Sequence, residues 1–414
     1  MGSFATPLSG LTAAQDQLQS VSNNLANIDT DGYKDQNLTF NDVFSQSTAT
    51  NGSGDPLQTG YGVAVSSTVA DFTEGTLNPT GTASNMALSG NGFFVTQNSS
   101  GQPDYTRAGD FTTNKAGQIT TPNGELLLGY PAANGIVNTS AALQPLQVGT
   151  GVTIPAVAST TVGMTANLDS TTVVGGTTTS APLPVFDSLG TAHNLSVTYT
   201  KTAANTWTYD VTVPSGDIAG GTGATTVVGS GSLVFDGSGA LTSASVFGPI
   251  SIPTLADGAT SPLTLTGPFG TLASPTISQT ALASATSATT TDGFAPGTLT
   301  TYVVQPDGTI EGTFSSGNTL ALGQVAVASF ANTQGLTSIG NNNYQPTAAS
   351  GSAVVGLAGT GGRGTVAGGY VEQSNVNIAT EFAKLIVAQQ AYSANAKSVT
   401  TFNQVSQATL AMLQ

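Results

Sequence analysis

The sequence predicts a mainly β protein that has an α-helix at each end. Apolar residues recur at alternating spacings of three and four in both terminal segments, which is the period of a helix with one buried side. Between the ends the period changes to two, and alternating runs are separated by turns rich in Gly, Asp and Asn. Glycine, at 51 of 414 residues, and a charged fraction of only 7% fit a chain of strands and turns.

The N-terminal segment carries an uninterrupted heptad pattern with apolar residues at the a and d positions. Pro7 lies in the first turn of the predicted helix, where its missing N–H leaves no hydrogen bond unmade. Asp16 is the only charged residue between Phe4 and Ile28. A helix with so neutral a flank is expected to pack among other helices. The row consists of Phe4, Pro7, Leu11, Ala14, Leu18, Val21, Leu25 and Ile28.

The C-terminal segment carries two apolar rows on one predicted helix. The first row is Ile378, Phe382, Leu385, Gln389, Tyr392, Ala396, Val399, Asn403, Ser406, Leu410 and Leu413. The second row is Ala388, Ala391, Phe402, Val405 and Met412. One row can pair with the N-terminal helix, and the other then needs another partner. Either both rows are buried in one chain as a two-helix cap on a β domain, or one row joins subunits.

Assembly of subunits is the favoured interpretation, because neither helix has an obvious charged face to present to water. The two terminal helices are therefore predicted to form a coiled-coil core domain. The candidate subunit-assembly residues are Leu11, Leu18, Val21, Leu25, Ile28, Ile378, Phe382, Leu385, Tyr392, Val399, Phe402, Leu410 and Leu413.

Short strands with turn residues between them fill the middle of the chain. Residues 195–199 and 207–213 alternate apolar and polar on either side of a turn at Asn205. Residues 236–239 (DGSG) and 306–308 (PDG) are further hairpin signals. Strands this closely spaced predict sandwiches or barrels. Three segments rich in Thr, Ser, Gly and Ala are predicted to be linkers or loose loops: 45–60, 170–180 and 284–292.

Composition excludes several classes of function. The net charge is -15 and the seven basic residues are scattered, so no nucleic-acid partner is expected. Cysteine is absent and His193 is the single histidine, which leaves little material for metal sites or histidine-dependent catalysis. No apolar run approaches the length of a membrane span, so no membrane insertion is expected. The first positive residue is Lys34, and a cleaved signal peptide is therefore not expected.

Two motifs match patterns of ligand-binding sites, one for dinucleotides and one for calcium, but turns and loops explain both better. Residues 359–364 match the dinucleotide-binding glycine pattern, but the following residues cannot start a helix, and a glycine-rich loop is predicted. Asn27 to Asp35 resembles the start of a calcium loop, yet Leu38 stands where a bidentate Glu is needed. A turn at a helix end explains these residues, as a structural role explains His193. We predict no cofactor, no metal and no enzymatic activity.

Residues 24–34 (NLANIDTDGYK) resemble the N-terminal signature of the flagellar rod and hook proteins. The family-motif residues are Asn24, Asn27, Gly32, Tyr33 and Lys34. The C-terminal segment is similar to the same family over 372–377, 381–382 and 386–395, with Gln390 where the family usually has Arg. Residues 90–94 and 105–111 resemble the β domain that these axial proteins share. A large insertion near 160–290 is typical of the hook type.

The resemblance implies two nested β-rich domains and a division of the chain. Residues 1–31 and 371–414 would form the helical polymerisation domain, 32–70 a linker, 71–159 and 291–370 an inner β domain, and 160–290 an outer β domain inserted in the inner one. The implied function is a structural subunit of the bacterial flagellar hook, self-assembling into a curved flexible tube that transmits motor torque to the filament.

The implied partners are other copies of the chain, the distal rod protein, the hook cap protein, the hook–filament junction protein and the flagellar export apparatus. The implied location is extracellular, in the hook and basal body, after export without a cleaved signal peptide. The alternatives are a distal rod or hook-associated protein and, from another class, a secreted β-rich adhesin or carbohydrate-binding module.

Overall fold

A computed structural model describes residues 4–43, 46–50, 56–149, 151–243, 245–271 and 274–412. Helix α1 spans Ala5–Ala26 and helix α2 spans Ile378–Met412. Short 3-10 helices span Ser215–Asp217 and Thr333–Gly335. All other regular structure is β, and this confirms the prediction of a mainly β protein with a helix at each end.

The strands follow one another closely along the chain. The first half contains β1 (Gln36–Asp42), β2 (Gln46–Thr50), β3 (Pro56–Thr59), β4 (Val63–Ala70), β5 (Leu77–Pro79), β6 (Met86–Ser89), β7 (Phe93–Gln97), β8 (Pro103–Thr106), β9 (Thr112–Thr113), β10 (Ile119–Thr120), β11 (Leu126–Val137), β12 (Gln144–Pro145), β13 (Thr153–Ile154), β14 (Val162–Asp169), β15 (Thr177–Thr179), β16 (Leu183–Phe186), β17 (Ala192–Ala203) and β18 (Thr206–Pro214). The second half contains β19 (Thr225–Val234), β20 (Ile250–Ile252), β21 (Leu263–Leu265), β22 (Gly270–Thr271), β23 (Ser274–Pro275), β24 (Ile277–Thr280), β25 (Ala285–Thr291), β26 (Gly297–Val304), β27 (Thr309–Phe314), β28 (Thr319–Ser329), β29 (Thr337–Gly340), β30 (Asn343–Gln345), β31 (Val354–Leu357), β32 (Thr365–Gly368) and β33 (Tyr370–Glu372).

The chain divides into two compact units. The first, called the inner unit after the predicted inner β domain, comprises the residues up to Gly149, Thr301–Gly312 and the residues from Leu320 onward. The second, called the outer unit after the predicted outer β domain, comprises Thr150–Thr300 and Thr313–Thr319. The outer unit therefore begins before the predicted boundary at 160 and extends past the one at 290. Pairing of β13 with β26 explains the difference, because it adds one strand beyond each predicted end.

The outer unit is built on the antiparallel strands β17, β18 and β19. Alternate residues of these strands point into one core, as the period of two in the sequence predicts. Trp207 lies fully buried there, and its indole Nε1 donates a hydrogen bond to Gln279 Oε1 at 2.8 Å. Asn205 adopts a φ of 56° in the tight β17–β18 turn, a conformation that Asn tolerates better than most residues.

The β part of the inner unit has two apolar clusters on opposite faces of β7. Phe94 packs edge-to-face on Phe111, with ring centroids 5.2 Å apart. Its neighbour Phe93 points the other way and packs against Phe330 and Tyr344, with ring centroids 5.6 and 5.8 Å away. Successive side chains of a strand point to opposite faces, so this one strand helps to build both cores.

Three segments predicted to be linkers or loose loops contain strands. In the predicted linker 32–70, β1 pairs with β4 and β2 pairs with β3, both antiparallel. The predicted loop 170–180 contains β15, which pairs with β17, and the predicted connector 284–292 contains β25, which pairs with β14. Thr is common in all three, and its branched Cβ favours extended backbone even in a sequence of low complexity. Residues 359–364 form a turn between β31 and β32, as predicted. No described helix carries an apolar stretch of the length that a membrane crossing needs.

Candidate assembly surface

The two terminal helices pack against each other in antiparallel directions. The Asn24 amide contacts the Glu381 carboxylate at 3.1 Å near one end, and the rings of Phe4 and Phe402 are 5.9 Å apart at the other. Between them, a Cβ on Gly10 would lie 2.9 Å from the side chain of Asn395. Gly10 therefore leaves room for the Asn395 side chain between the two helices.

Helix α1 turns one side of its predicted heptad row inward. Val21 is only 1% exposed, whereas Leu11, Leu18 and Leu25 are half-buried. Ile28 is also half-buried but lies beyond the helix, which ends at Ala26 and continues into a turn. Val21 is thus covered within its own chain, and the three half-buried leucines retain surface for a partner.

Helix α2 meets α1 through a line of residues that coincides with neither predicted row, although Ala388 and Phe402 belong to the second. The inward residues follow each other at a spacing of seven: Glu381, Ala388, Asn395 and Phe402. Among the predicted assembly residues, Ile378, Phe382, Tyr392, Phe402 and Leu410 are exposed and Leu385 and Val399 are half-buried. Leu413 lies outside the described residues. The predicted first row is therefore largely uncovered by the described part of the chain.

An apolar groove of about 550 Å³ runs beside the helix pair. Small residues account for its depth, because Ala and Gly on both helices leave the space that larger side chains would fill. The lining includes Gly10, Ala13, Ala14, Phe40, Val63, Val387, Ala388 and Ala391. Val387 is 68% exposed at its rim.

The family-motif residues join the end of α1 to the start of α2. The Asn24 Nδ2 group contacts the carboxylates of Asp35 and Glu381, and Asn24 Oδ1 accepts a hydrogen bond from Tyr33 at 3.0 Å. Lys384 pairs with Glu381 at 2.6 Å. Burial, followed by the nearby charges of Asp35 and Glu381, raises the pKa of Tyr33 to about 12. Tyr33 therefore stays protonated and can donate to Asn24 at physiological pH.

Lys34 lies at the centre of a second buried network. Its ammonium group contacts Glu372 Oε1 at 2.5 Å and the Thr73 carbonyl at 2.7 Å. Arg107 Nη1 reaches the other Glu372 oxygen at 3.3 Å, and Arg107 also donates to the Gly90 carbonyl at 2.7 Å. The side chains of Lys34 and Glu372 are both fully buried. Burial lowers the pKa of Lys34, and the Glu372 carboxylate opposes that effect.

Gly32 and Asn27 shape the turn that delivers these residues. Gly32 has a φ of 69°, and a Cβ there would lie 2.4 Å from the Ala108 nitrogen, so only glycine fits. Its own N–H donates to the Glu372 carbonyl at 2.7 Å. Asn27 closes α1, and its side chain donates to the Asn23 carbonyl at 2.9 Å.

Sequence reasoning missed the partners of the family motif. Glu372, Glu381 and Arg107 lie in the segments that resemble the family, but nothing local indicates that Glu372 meets Lys34 and Arg107. The sequence offers one signal, which is that Glu381 is a carboxylate on an apolar helix with few charges. In the structure its side chain is only 1% exposed. A buried carboxylate requires a partner from elsewhere in the chain.

Four family models match successive parts of the chain. The model of the flagella basal body rod protein matches residues 4–34, and the flagellar hook protein FlgE/F/G D1 domain matches 87–172. The flagellar basal body protein FlaE D2 domain matches 153–294. The C-terminal model of the flagellar basal body rod FlgEFG protein matches 367–412.

Similar proteins match over nearly the whole length. The flagellar hook protein FlgE of Escherichia coli K12 is 34% identical over 417 residues, which cover 97% of this chain and 98% of that protein. FlgE of Treponema pallidum is 31% identical over 451 residues, with 97% of each chain covered.

One solved structure shares the fold. The crystal structure of the Helicobacter pylori flagellar hook protein FlgE2 has a TM-score of 0.52 at 16% identity and covers 72% of this chain and 100% of its own. Since the sequence relatives match from end to end, the chain belongs to the flagellar hook protein FlgE family, and it is a structural subunit of the flagellar hook.

Proposed function

We propose that copies of this chain assemble into the hook through the first row of α2 and the half-buried leucines of α1. The observation that carries the proposal is the exposure of large apolar side chains along α2: Phe382 is 46% and Leu410 is 62% exposed. Charged residues on this helix are confined to Glu381, Lys384 and Lys397. Exposed apolar surface on this scale is typical of a contact site rather than a solvated face.

The proposed contact gains its free energy from burial of these side chains. Covering one Leu, Ile or Phe completely is worth roughly 1.5–3 kcal/mol. The predicted row holds Ile378, Phe382, Leu385, Tyr392, Val399 and Leu410 within the described residues. A neighbouring α2 that covered half of this row would therefore contribute several times the thermal energy per subunit. The apolar groove beside the helices offers such a neighbour a second contact.

The finer parts of the hook role rest on family membership. We infer that the tube formed is curved and flexible and transmits motor torque to the filament. Its ends would meet the distal rod protein, the hook–filament junction protein and, during growth, the hook cap protein. The chain would reach its extracellular place through the flagellar export apparatus without a cleaved signal peptide. It would carry out no enzymatic reaction.

A charge placed in the exposed row tests the assembly proposal. Leu410→Asp and Phe382→Asp should abolish hooks and motility, because an unpaired carboxylate would have to be buried between subunits. Both positions are exposed, so the monomer should keep its fold, its circular dichroism and its Trp207 fluorescence. The matched control is Gln404→Asp, which adds the same charge on the side of α2 that also carries Gln390 and Lys397.

Electron microscopy of hook–basal bodies and a motility assay are the measurements. Normal hooks on cells that express Leu410→Asp or Phe382→Asp would contradict the proposal. Loss of hooks in all three variants would show that α2 tolerates no added charge, and the first row would then have no special role.

A further inference from the structure

His193 lies in a pocket of carboxylates in the outer unit. Pairing of β16 with β17 aligns Val185 with His193, which places Asp187 beside the imidazole. The Ala256 N–H donates to the Asp217 carbonyl at 2.9 Å, and this contact brings Asp257 to the same place. The fold thus gathers one histidine and three aspartates from four separate segments.

The two imidazole nitrogens meet different carboxylates. Nε2 is 3.2 Å from Asp187 Oδ2, and Nδ1 is 3.0 Å from Asp217 Oδ2. One ligand atom from each of Asp187, His193 and Asp257 lies within 4.8 Å of the other two. His193 is 3% exposed and Asp187 is fully buried, while Asp257 is exposed and leaves a path from solvent.

Among the described residues, no lysine or arginine pairs with this cluster. Lys201 is the only lysine or arginine of the sequence between positions 150 and 300. Its ammonium group is used elsewhere, 2.6 Å from the Ser170 carbonyl and over the Trp207 ring. A cation that entered from solvent would therefore meet no ammonium or guanidinium group at this place.

We propose that Asp187, His193 and Asp257 bind one divalent transition-metal cation of the zinc class. Ligand atoms 2.0–2.2 Å from a tetrahedral ion lie about 3.3 Å from each other, which the Nε2–Oδ2 separation already matches. The Nδ1–H would donate to Asp217, and this carboxylate, which does not touch the ion, would fix the tautomer that presents Nε2 to it. Imidazole among the ligands favours zinc, nickel or copper over magnesium and calcium. Water would fill the fourth position.

Titration of the full-length monomer with ZnCl2 tests the site. Any purification tag is removed first, so that His193 is the only imidazole and no thiol competes. Isothermal titration calorimetry should show one zinc per chain, and MgCl2 at the same concentration should give no saturable heat. A long-range 1H–15N spectrum of this chain shows the imidazole signals of one histidine, His193. Zinc should shift its Nε2 signal, while Nδ1 should stay protonated.

Three substitutions test the two kinds of residue in the site, which are the metal ligands and the carboxylate that orients His193. His193→Gln and Asp257→Asn should weaken zinc binding at least tenfold, and Asp217→Asn should weaken it about 10–100-fold through the tautomer. The Asn at 257 can still accept the hydrogen bond from the Ala259 N–H, so the loop should keep its fold. Asp210→Asn, an exposed position on β18, is the control and should bind as the wild type does.

Absence of saturable zinc binding to the wild type would overturn the proposal. Binding that Asp257→Asn and His193→Gln leave unchanged would do the same, because the zinc would then lie elsewhere.

Discussion

Glu372 is the residue on which the closure of the inner unit depends most directly. Its carboxylate accepts hydrogen bonds from Lys34, Arg107 and the Gly75 N–H, and its side chain is fully buried. Glu372→Gln should therefore destabilise the inner unit by about 3–5 kcal/mol, since two buried cations lose their counter-charge. Thermal unfolding followed by circular dichroism should show a lower transition for the inner unit. Trp207 fluorescence should be unchanged, because that residue lies in the outer unit.

The control for this prediction is Glu74→Gln. Glu74 accepts one hydrogen bond, from the Gly90 N–H at 2.8 Å, and glutamine retains the acceptor. Equal effects of the two substitutions would mean that the buried network contributes no more to stability than a surface contact.

Asp292 gives the outer unit part of its acid sensitivity. Burial on its own would raise the pKa of Asp292, but hydrogen bonds from Thr160 and Thr161 outweigh it and lower the pKa to about 2. The stabilisation is present above the unfolded pKa of 3.8 and is lost as the pH falls through about 2. Asp292→Asn should reduce the pH dependence of the Trp207 unfolding transition between pH 4 and 2. Asp210→Asn is the control, and an unchanged slope in Asp292→Asn would refute the assignment.

At the scale of single elements, we expect the terminal helices to serve polymerisation more than folding. Most of the helical stability in proteins comes from packing of an apolar face, and most of α2 is exposed. A chain trimmed to residues 31–384 keeps Lys34, Arg107 and Glu372. It should remain a folded monomer with the Trp207 transition of the full chain. Light scattering and electron microscopy measure the outcome, and tubes formed by the trimmed chain would disprove it.

The elements differ in how far the sequence could predict them. The strand alternation at 195–199 and the helical period at 378–412 are local patterns, and both predictions hold. Segment 284–292 was misassigned because its Thr and Ser residues have no apolar alternation, and pairing with β14 decides its conformation. No local pattern predicts the contact between Lys34 and Glu372, because only the tertiary fold brings these distant residues together. Ala388 belongs to a predicted apolar row, whereas Glu381 and Asn395, which also meet α1, are polar and belong to neither row.

At the scale of the whole molecule, the outer unit is expected to set hook mechanics rather than assembly. Its ends are adjacent: Ser159 Oγ and Thr291 Oγ1 are 2.8 Å apart, so a short Gly-Ser linker can replace residues 160–290. The removed segment carries Asp169, Asp187, Asp210, Asp217, Asp236 and Asp257 against Lys201. Repulsion between such units acts over roughly 10 Å at 0.1 M salt.

Cells with this deletion should still form hooks, but straighter ones with altered bending stiffness. Electron microscopy gives the curvature, and tethered-cell rotation reports the flexibility. Unchanged curvature and stiffness would remove the mechanical role. Complete failure to assemble would place the insertion in the structural core of the tube.

The buried pair of Lys34 and Glu372 also determines the order in which the two units can fold. These residues are 338 positions apart, so the inner unit can close only when nearly the whole chain is present in one place. The outer unit draws most of its residues from one continuous stretch, 150–300, and can close much earlier. A subunit that travels unfolded and N-terminus first would therefore complete its inner unit late, because Glu372 arrives long after Lys34.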